Sequence, residues 1–434
     1  MRTGYFPQWT LKREGVIAPD ERLPWLQALP LALQHVIAMF GATVLAPLLM
    51  GFDPNVAILM SGVGTLLFFI VVGGRVPSYL GSSFAFIGVV IAATGYGGSG
   101  PNANVATALG GIVACGAAYA LIGLAVMAAG TAWIERLMPP VVTGAIVAVI
   151  GLNLAPVAVK GATAATFDAW MALATIACVA AVAVFARGMV QRLQILVGLV
   201  LAYVLYALLT NGAGMGKAID WSALRDAAWV GLPHFTAPVW SGNAIALIVP
   251  VAIVLVAENL GHVKAVSAMA ARNLDPYIGR AFLGDGIATM VAGAAGGTGV
   301  TTYAENIGVM AVTRIFSTLL FVLAAVIALV LGLSPKFGAL IRTIPGPVLG
   351  GVSIVVFGLI AVAGARIWVQ SGVDFADNRN LIVAAVALVL GAGDFTIRFG
   401  NFTLGGIGTA TFGAILLNVL LGGGGRGAPL RAEA

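Results

Sequence analysis

The sequence predicts an all-α integral membrane protein built from two copies of a seven-span unit in opposite membrane orientations. Three observations lead to this prediction. The chain has 434 residues, of which 60% are hydrophobic and 9% charged, whereas a soluble domain carries about 25% charged residues. Apolar runs long enough to cross a bilayer recur along its length. Two sequence patterns also recur at a similar spacing, which indicates a duplication.

Twelve apolar runs have about the length of a transmembrane helix, and runs of this kind favour helices over the strands of a barrel. They lie near residues 28–49, 54–73, 105–129, 139–157, 169–186, 193–211, 243–263, 279–296, 316–333, 346–364, 380–393 and 403–422. The first 27 residues are interpreted as a polar tail without a cleavable signal, because the first long apolar run begins near Leu29.

Two further segments, 78–95 and 299–315, are apolar at one end only and are interpreted as broken spans, which gives fourteen spans in all. An even number places both termini on one side of the membrane. Sixteen of the 22 Lys and Arg residues then lie on that side, so the positive-inside rule makes it cytoplasmic. The net charge of +6 is therefore assigned to cytoplasmic loops and not to nucleic-acid binding.

An internal repeat accounts for the two orientations. "MPPVVTGAIVAVIGL" at 138–152 resembles "PGPVLGGVSIVVFGL" at 345–359 with an offset of 207 residues, and "SSFAFIGVV" at 82–90 resembles "YAENIGVMA" at 303–311 with an offset of about 220. Copies with an odd number of spans must be inverted relative to each other, as in many secondary transporters. The predicted units are 28–211 and 243–422, joined by an extracytoplasmic loop over 212–242 and followed by a cytoplasmic tail over 423–434.

Each broken span is expected to contain a short extended piece followed by a helix that crosses half the bilayer. In the first copy Pro77 and Gly81 precede the helix, and in the second a run of glycines precedes "VTTY", a β-prone stretch. Irregular backbone at that depth survives only when it is buried in protein or lines a cavity. The amino-terminal ends of the two half-helices are therefore expected to meet near the membrane midplane.

Glu305 lies in the first turn of the second half-helix, where free N–H groups and the helix dipole favour a negative charge. Acidic residues inside a membrane are costly and usually functional, so Glu305 is a candidate ligand-binding residue. The alternative is that it only caps its own helix.

Glu258 and His262 are spaced by four residues in "LVAENLGHVKAVSAMA", which places them on one face of a helix. His262 could hydrogen-bond to Glu258, and the pair could couple a proton to transport. The alternative is that this segment is the solvated cytoplasmic end of its span.

Other polar residues point less clearly to a site. His35 lies inside the first span, where a hydrogen bond within the packed interior is as compatible with its position as a role in binding. Asp285, between two glycines near Arg280, is interpreted as an acid at the end of a loop. The sequence has no zinc-ligand spacing, phosphate-binding loop or nucleophile elbow, so neither a cofactor, a metal nor an enzymatic activity is predicted.

Four stretches together resemble one family: "LQHVIAMFGATVLAP", "VPSYLGSSFAFIGV", "AENLGH" and "TTYAENIGVMAVTR". The chain is similar to the nucleobase:cation symporter (nucleobase–ascorbate transporter) family over residues 23–421, and to its uracil permeases in particular. "APDERLP" and "RIWVQSGVD" are similar to the pyrimidine permeases of pyrimidine-utilisation operons.

The resemblance implies a core domain from spans 1–4 and 8–11 and a gate domain from spans 5–7 and 12–14. It also implies a homodimer formed through the gate domain in a bacterial inner membrane, and proton-coupled uptake of uracil or a related base. Glu258 would accept hydrogen bonds from the ring N–H groups, His262 would support it, and Glu305 would hold a second polar region. The pocket would be completed by Phe84 on the ring face and by Ala42, Tyr303 and Ala304. Uracil permeases have glycine where this chain has Ala304, so the added methyl group could narrow the pocket.

Two other functions stay open at this point. The first is a purine or xanthine permease of the same family. The second is an anion transporter on the same fold, which two acids at the site and the lack of a basic residue beside the half-helices disfavour.

Overall fold

The computed structural model describes residues 4–97, 100–399 and 402–422, and within these ranges the chain is almost entirely helical. The helices are α1 (Trp25–Met50), α2 (Pro54–Val71), α3 (Ala85–Thr94), α4 (Val105–Ala129), α5 (Ala132–Leu137), α6 (Pro140–Ala162), α7 (Thr166–Phe185), α8 (Gly188–Arg192), α9 (Gln194–Ala207), α10 (Ser222–Asp226), α11 (Gly242–Ile248), α12 (Val251–Met269), α13 (Ile278–Ala294), α14 (Ala304–Thr313), α15 (Thr318–Gly332), α16 (Pro335–Arg342), α17 (Gly346–Gln370), α18 (Asn378–Ala392) and α19 (Gly406–Gly422). The strands are β1 (Thr10–Leu11), β2 (Glu21–Arg22), β3 (Leu80–Ser82), β4 (Val300–Thr302), β5 (Ile397–Phe399) and β6 (Phe402–Leu404).

Each of the twelve predicted spans coincides with a helix or a pair of helices. Eight helical stretches in the described residues are long and apolar enough to cross a membrane, and α15 with α16, bent by 79°, would make a ninth. Helices α13, α18 and α19 have 17 residues or fewer. The predicted tail 423–434, with Arg426 and Arg431, lies outside the described residues, as does Arg2.

The prediction of two broken spans is confirmed as secondary structure. Strand β3 runs into the ten-residue helix α3, and strand β4 into the ten-residue helix α14. Ten residues of α-helix rise about 15 Å, which is half the thickness of a bilayer core. The two strands pair antiparallel, with Leu80 opposite Thr302 and Ser82 opposite Val300. The offset of 220 residues between β3 and β4 matches the offset of the sequence repeat.

The helices pack into two groups. In the first group α13 packs against α2 and α4, α15 packs against α1 and α2, and the β3–β4 pair lies among them. In the second group α17 packs against α6 and α7, and α18 packs against α6 and α19. Glycines allow the close approach of α6 and α17, because a Cβ atom at Gly151 would overlap the carbonyl oxygen of Phe357. Because the β3–β4 pair lies in the first group, that group carries both broken spans.

The N-terminal segment lies against the first group. The amide of Ile17 donates to the carbonyl of Arg314, at the end of α14, over 3.0 Å. The indole Nε1 of Trp9 donates to Thr318 Oγ1 over 2.9 Å. Within the segment Lys12 Nζ lies 3.0 Å from a carboxylate oxygen of Glu21. The residues before the first span thus contact the linker that follows the second half-helix.

Candidate functional site

The strand crossing, where β3 pairs with β4, is completely buried, so its backbone groups need partners other than water. Part of this need is met by threonine hydroxyls from neighbouring helices. Thr65 Oγ1 on α2 accepts from the amide of Leu80 over 2.9 Å. Thr289 Oγ1 on α13 donates to the carbonyl of Val300 over 3.0 Å and accepts from its amide over 3.2 Å. These side chains stabilise extended backbone in the middle of a helical protein.

Tyr303, predicted to complete the pocket, links three elements at the crossing. Its hydroxyl donates to the carbonyl of Ser82 over 2.8 Å and lies 2.9 Å from Thr43 Oγ1 on α1. The residue is only 4% exposed. A Cβ atom at Gly81 would lie 2.6 Å from the tyrosine ring, so the strand passes directly over it. The hydroxyl of Tyr303 is thus occupied within the protein.

Glu305 lies in the first turn of α14, as the sequence predicts. It is half-buried and lines a cavity of about 360 Å³ between α1 and α14 on one side and α9 and α17 on the other. Ala304, the first residue of α14, is exposed to the same cavity. The carboxyl group of Glu305 makes no hydrogen bond to another side chain in the described part of the protein. Glu305 is therefore positioned to meet a ligand in this cavity.

Glu258 and His262 lie on consecutive turns of α12, which packs against both β4 and α14. The buried Oε2 of Glu258 has no hydrogen-bond partner among the described residues. His262 Nδ1 lies 2.8 Å from Thr302 Oγ1, at the end of β4. The predicted hydrogen bond between His262 and Glu258 is absent from the described structure. The threonine fixes the imidazole instead, which leaves Nε2 for another partner.

Phe84 directly precedes α3 and is half-buried. Its ring meets Phe357 of α17 edge to face, with 6.0 Å between the ring centroids. Ala42 is buried in α1, which contacts both α14 and β3. The predicted residues thus come from α1, α3, α12 and α14, all elements that surround the strand crossing.

The interpretation of Asp285 as a loop-end acid is wrong. Asp285 lies within α13 and is completely buried. Its Oδ2 accepts a hydrogen bond of 2.6 Å from Asn259 Nδ2 and one of 3.5 Å from the hydroxyl of Tyr119. Asn259 Nδ2 also donates to the Tyr119 hydroxyl over 3.0 Å. Sequence reasoning missed this cluster, although Asn259 is adjacent to Glu258.

His35 is completely enclosed, and its hydrogen bonding is internal. Asn306 Nδ2 lies 3.0 Å from His35 Nδ1 and donates to the carbonyl oxygen of His35 over 3.0 Å. Asn306 directly follows Glu305, so this contact fixes the first turn of α14 to α1. His35 is therefore a packing residue in this structure.

A second, larger cavity of about 1320 Å³ lies between α3 and α11 on one side and α6 and the β5–β6 hairpin on the other. None of the seven predicted site residues is among the described residues that line it. The described part of the chain also contains no cluster of three His, Cys, Asp or Glu residues that could hold a metal ion. Of the two cavities, only the smaller one reaches Glu305.

The sequence over residues 26–398 matches the model of a permease family, Xan_ur_permease. The chain belongs to this family. It is 67% identical over 420 residues to the "Putative pyrimidine permease RutG" of Escherichia coli strain K12, which covers 96% of this chain and 95% of the relative. It is 43% identical to the "Uracil permease" of Paenibacillus larvae, over 94% of this chain and 97% of the relative. The resemblance found in the sequence motifs is thereby confirmed, and the chain is a membrane permease and not an enzyme.

Solved structures show the same fold at low sequence identity. The transmembrane domain of the cyanobacterial bicarbonate transporter BicA matches with a TM-score of 0.59 and 15% identity, over 85% of this chain and 97% of that domain. SLC26A9 matches with a TM-score of 0.63 and 12% identity, over 91% of this chain, which spans 65% of the length of that protein. At this level of identity the likeness concerns the fold alone.

Proposed function

We propose that this permease is a proton-coupled symporter that imports uracil or a related pyrimidine nucleobase across a bacterial inner membrane. The observation that carries the proposal is the buried, unpartnered carboxyl oxygen of Glu258 beside a half-helix that bears a second acid, Glu305. An unpaired carboxylate in a protein interior is costly unless it gains a hydrogen bond or a proton. The names of the relatives, a pyrimidine permease and a uracil permease, support the class of substrate.

The chemistry of uracil fits these groups. The base is planar and neutral, with two N–H donors and two carbonyl acceptors. Carboxylate oxygens of Glu258 and Glu305 can accept from the ring N–H groups, and the free N–H groups at the start of α14 can donate to a carbonyl. The ring of Phe84 provides an aromatic surface for the face of the base. Ala304, Ala42 and Tyr303 would enclose it.

Proton coupling follows from the same acid. A proton on Glu258 would remove the cost of a buried charge and would supply a donor to a base carbonyl. His262, held at Nδ1 by Thr302, would support Glu258 through Nε2 and would thereby couple the proton to the bound base. Release of the base into the cytoplasm would return the carboxyl group to water, where it loses its proton.

The architecture proposed for this activity has fourteen spans in a seven-plus-seven inverted repeat. The first helix group would be the core domain and the second the gate domain, with the repeats over 28–211 and 243–422 and an extracytoplasmic loop at 212–242. Both termini would be cytoplasmic, and two copies would associate through their gate domains. The offset of 220 residues between the two broken spans matches that of the sequence repeat and supports the duplication. The two packing groups support the division into core and gate domains.

Uptake of labelled uracil by proteoliposomes, with and without an inward proton gradient, tests the function. We expect uptake to rise with the gradient and to be lost in Glu258→Gln and Glu305→Gln. Glu14→Gln, an exposed glutamate in the N-terminal segment, is the control and should transport like the parent. Transport by both site variants at the parental rate would contradict the assignment of these acids.

The same vesicles separate the other functions. Stronger competition by xanthine than by unlabelled uracil would identify a purine permease of this family. Electrogenic chloride or bicarbonate flux without uracil uptake would identify an anion transporter.

A further inference from the structure

The two half-helices carry glycines at equivalent places of the repeat. Gly88 lies on α3 and Gly308 on α14, at the offset of 220 that also relates β3 to β4. On the helices that face them, Asn153 of α6 and Ile360 of α17 are related by the offset of 207 that pairs Pro140 with Pro347. The repeat therefore predicts that Gly88 faces Asn153 as Gly308 faces Ile360.

The surroundings of the two glycines differ. A Cβ atom at Gly88 would lie 3.0 Å from Asn153 Oδ1 and 3.7 Å from side-chain atoms of Leu154 and Ile407. A Cβ atom at Gly308 would meet no atom within 4 Å. Gly308 and Ile360 instead line the smaller cavity that contains Glu305. The first half-helix is therefore packed against the second helix group, and the second half-helix stands apart from it.

Asn153 is held in place to make this contact. Its Nδ2 donates to the carbonyl of Gly391 over 2.8 Å and lies 3.4 Å from Asp394 Oδ1. Both partners belong to α18 or the turn after it, so the carboxamide is fixed within the second group and its oxygen is directed at α3. Both Gly88 and Asn153 border the larger cavity.

The larger cavity, which this contact borders, is lined by neither Glu258 nor Glu305 among the described residues. The edge-to-face pair of Phe84 and Phe357 is a second contact between the first half-helix and the second helix group. The smaller cavity, by contrast, is lined by Ala304 and Glu305. The site is thus closed towards one cavity and open towards the other.

We propose that Asn153 and Gly88 form the contact that closes the site towards the larger cavity, and that Ile360 and Gly308 form the equivalent contact in the opposite state. Asn153 is a positioning residue in this scheme. Glycine is required at position 88 because the half-helix must approach the carboxamide closely. The inference rests on the proposed transport function, since it assigns these contacts to the two alternating states of a transporter.

The test uses Ala38→Cys, a reporter on α1 in the smaller cavity, in a Cys178→Ser background. The rate of maleimide labelling of the purified full-length protein reports how often that cavity is open. Gly88→Ala should slow labelling by about fivefold or more, because overpacking the closed contact shifts the population away from this state. Adding Asn153→Ala should restore the rate, because the new methyl group then fills the vacated space.

Gly308→Ala is the matched control and should not slow labelling, because its methyl group points into open space in this state. An unchanged rate in Gly88→Ala, equal slowing in both glycine variants, or no rescue by Asn153→Ala would overturn the proposal. If Gly88→Ala is not obtained as a monodisperse protein, Asn153→Ala alone serves as the test. It should slow labelling because it loosens the contact with Gly88, and an unchanged labelling rate would overturn the proposal. Labelling needs no substrate, so failure of uracil uptake leaves this test intact.

Discussion

Removal of the Tyr303 hydroxyl tests whether this residue holds the strand crossing together or contacts the substrate. In Tyr303→Phe the carbonyl of Ser82 and the hydroxyl of Thr43 lose their shared partner while they stay buried. Leaving a buried polar group without its hydrogen bond costs about 1–3 kcal/mol. Because Thr43 can turn its hydroxyl to a backbone carbonyl of its own helix, we expect one orphaned group and a loss of about 2 kcal/mol, roughly a 30-fold change in the unfolding equilibrium.

Tyr5 is a matched control. Its hydroxyl is shared as a donor between the carbonyls of Ile70 and Val71, both at 2.8 Å, so Tyr5→Phe also removes a hydroxyl that serves backbone carbonyls. Tyr5 is 52% exposed, however, and water can replace the lost donor. We expect Tyr5→Phe to cost less than about 1 kcal/mol.

The free energy of unfolding is measured by titration of the purified protein in mixed micelles with a denaturing detergent, followed by circular dichroism. A double-mutant cycle with Thr43→Val isolates the Tyr303–Thr43 contact. Equal losses for Tyr303→Phe and Tyr5→Phe would refute the reasoning from burial. Unchanged stability in Tyr303→Phe combined with weaker uracil binding would show instead that the hydroxyl serves the substrate.

Two further predictions concern hydrogen bonds at the site and at the N-terminus. Thr302→Val removes the partner of His262 Nδ1 and should lower uracil uptake by about tenfold, whereas Thr302→Ser should keep it; equal uptake by both would contradict a role for this contact. At Glu21, burial opposes ionisation, but hydrogen bonds from the Ala18 amide and the Lys12 ammonium outweigh it and hold the pKa of the carboxyl below its ordinary value. The stabilisation of the N-terminal segment is therefore complete above the ordinary pKa and is lost as the pH falls through the lowered one, so limited proteolysis of this segment should speed up in acid, and Glu21→Gln should show fast cleavage already at neutral pH.

The elements that sequence predicts well are those whose signal is local. The half-helix with Glu305 follows from a glycine run, a β-prone stretch and an acid in an otherwise apolar chain. Asp285 could not be placed in the same way. Its flanking glycines resemble the end of a loop, and its partners Asn259 and Tyr119 lie 26 and 166 residues away in the chain. Only the packing of α13 against α4 and α12 brings the three together.

The hydrogen bond of His262 shows the same limit from the other direction. A spacing of four residues correctly places His262 and Glu258 on one helix face. It does not show that β4 ends beside the imidazole, because that depends on how two distant broken spans cross. Thr302 is therefore the hydrogen-bond partner of His262, a role that helical spacing alone assigns to Glu258.

In the proposed transport cycle the two helix groups would move relative to each other while the acids stay together, and the hydrogen bonding of the strand crossing supports this division. Threonines of α2 and α13 and the Tyr303 hydroxyl satisfy its buried backbone from within the first helix group. Separating β3 from β4 would leave several of these groups without partners, at a cost of about 1–3 kcal/mol for each. The contact of Gly88 with the second group is a packing contact with no hydrogen bond across it, so it can break at much lower cost. Movement should therefore occur between the two groups, with Glu258, His262 and Glu305 carried as one unit.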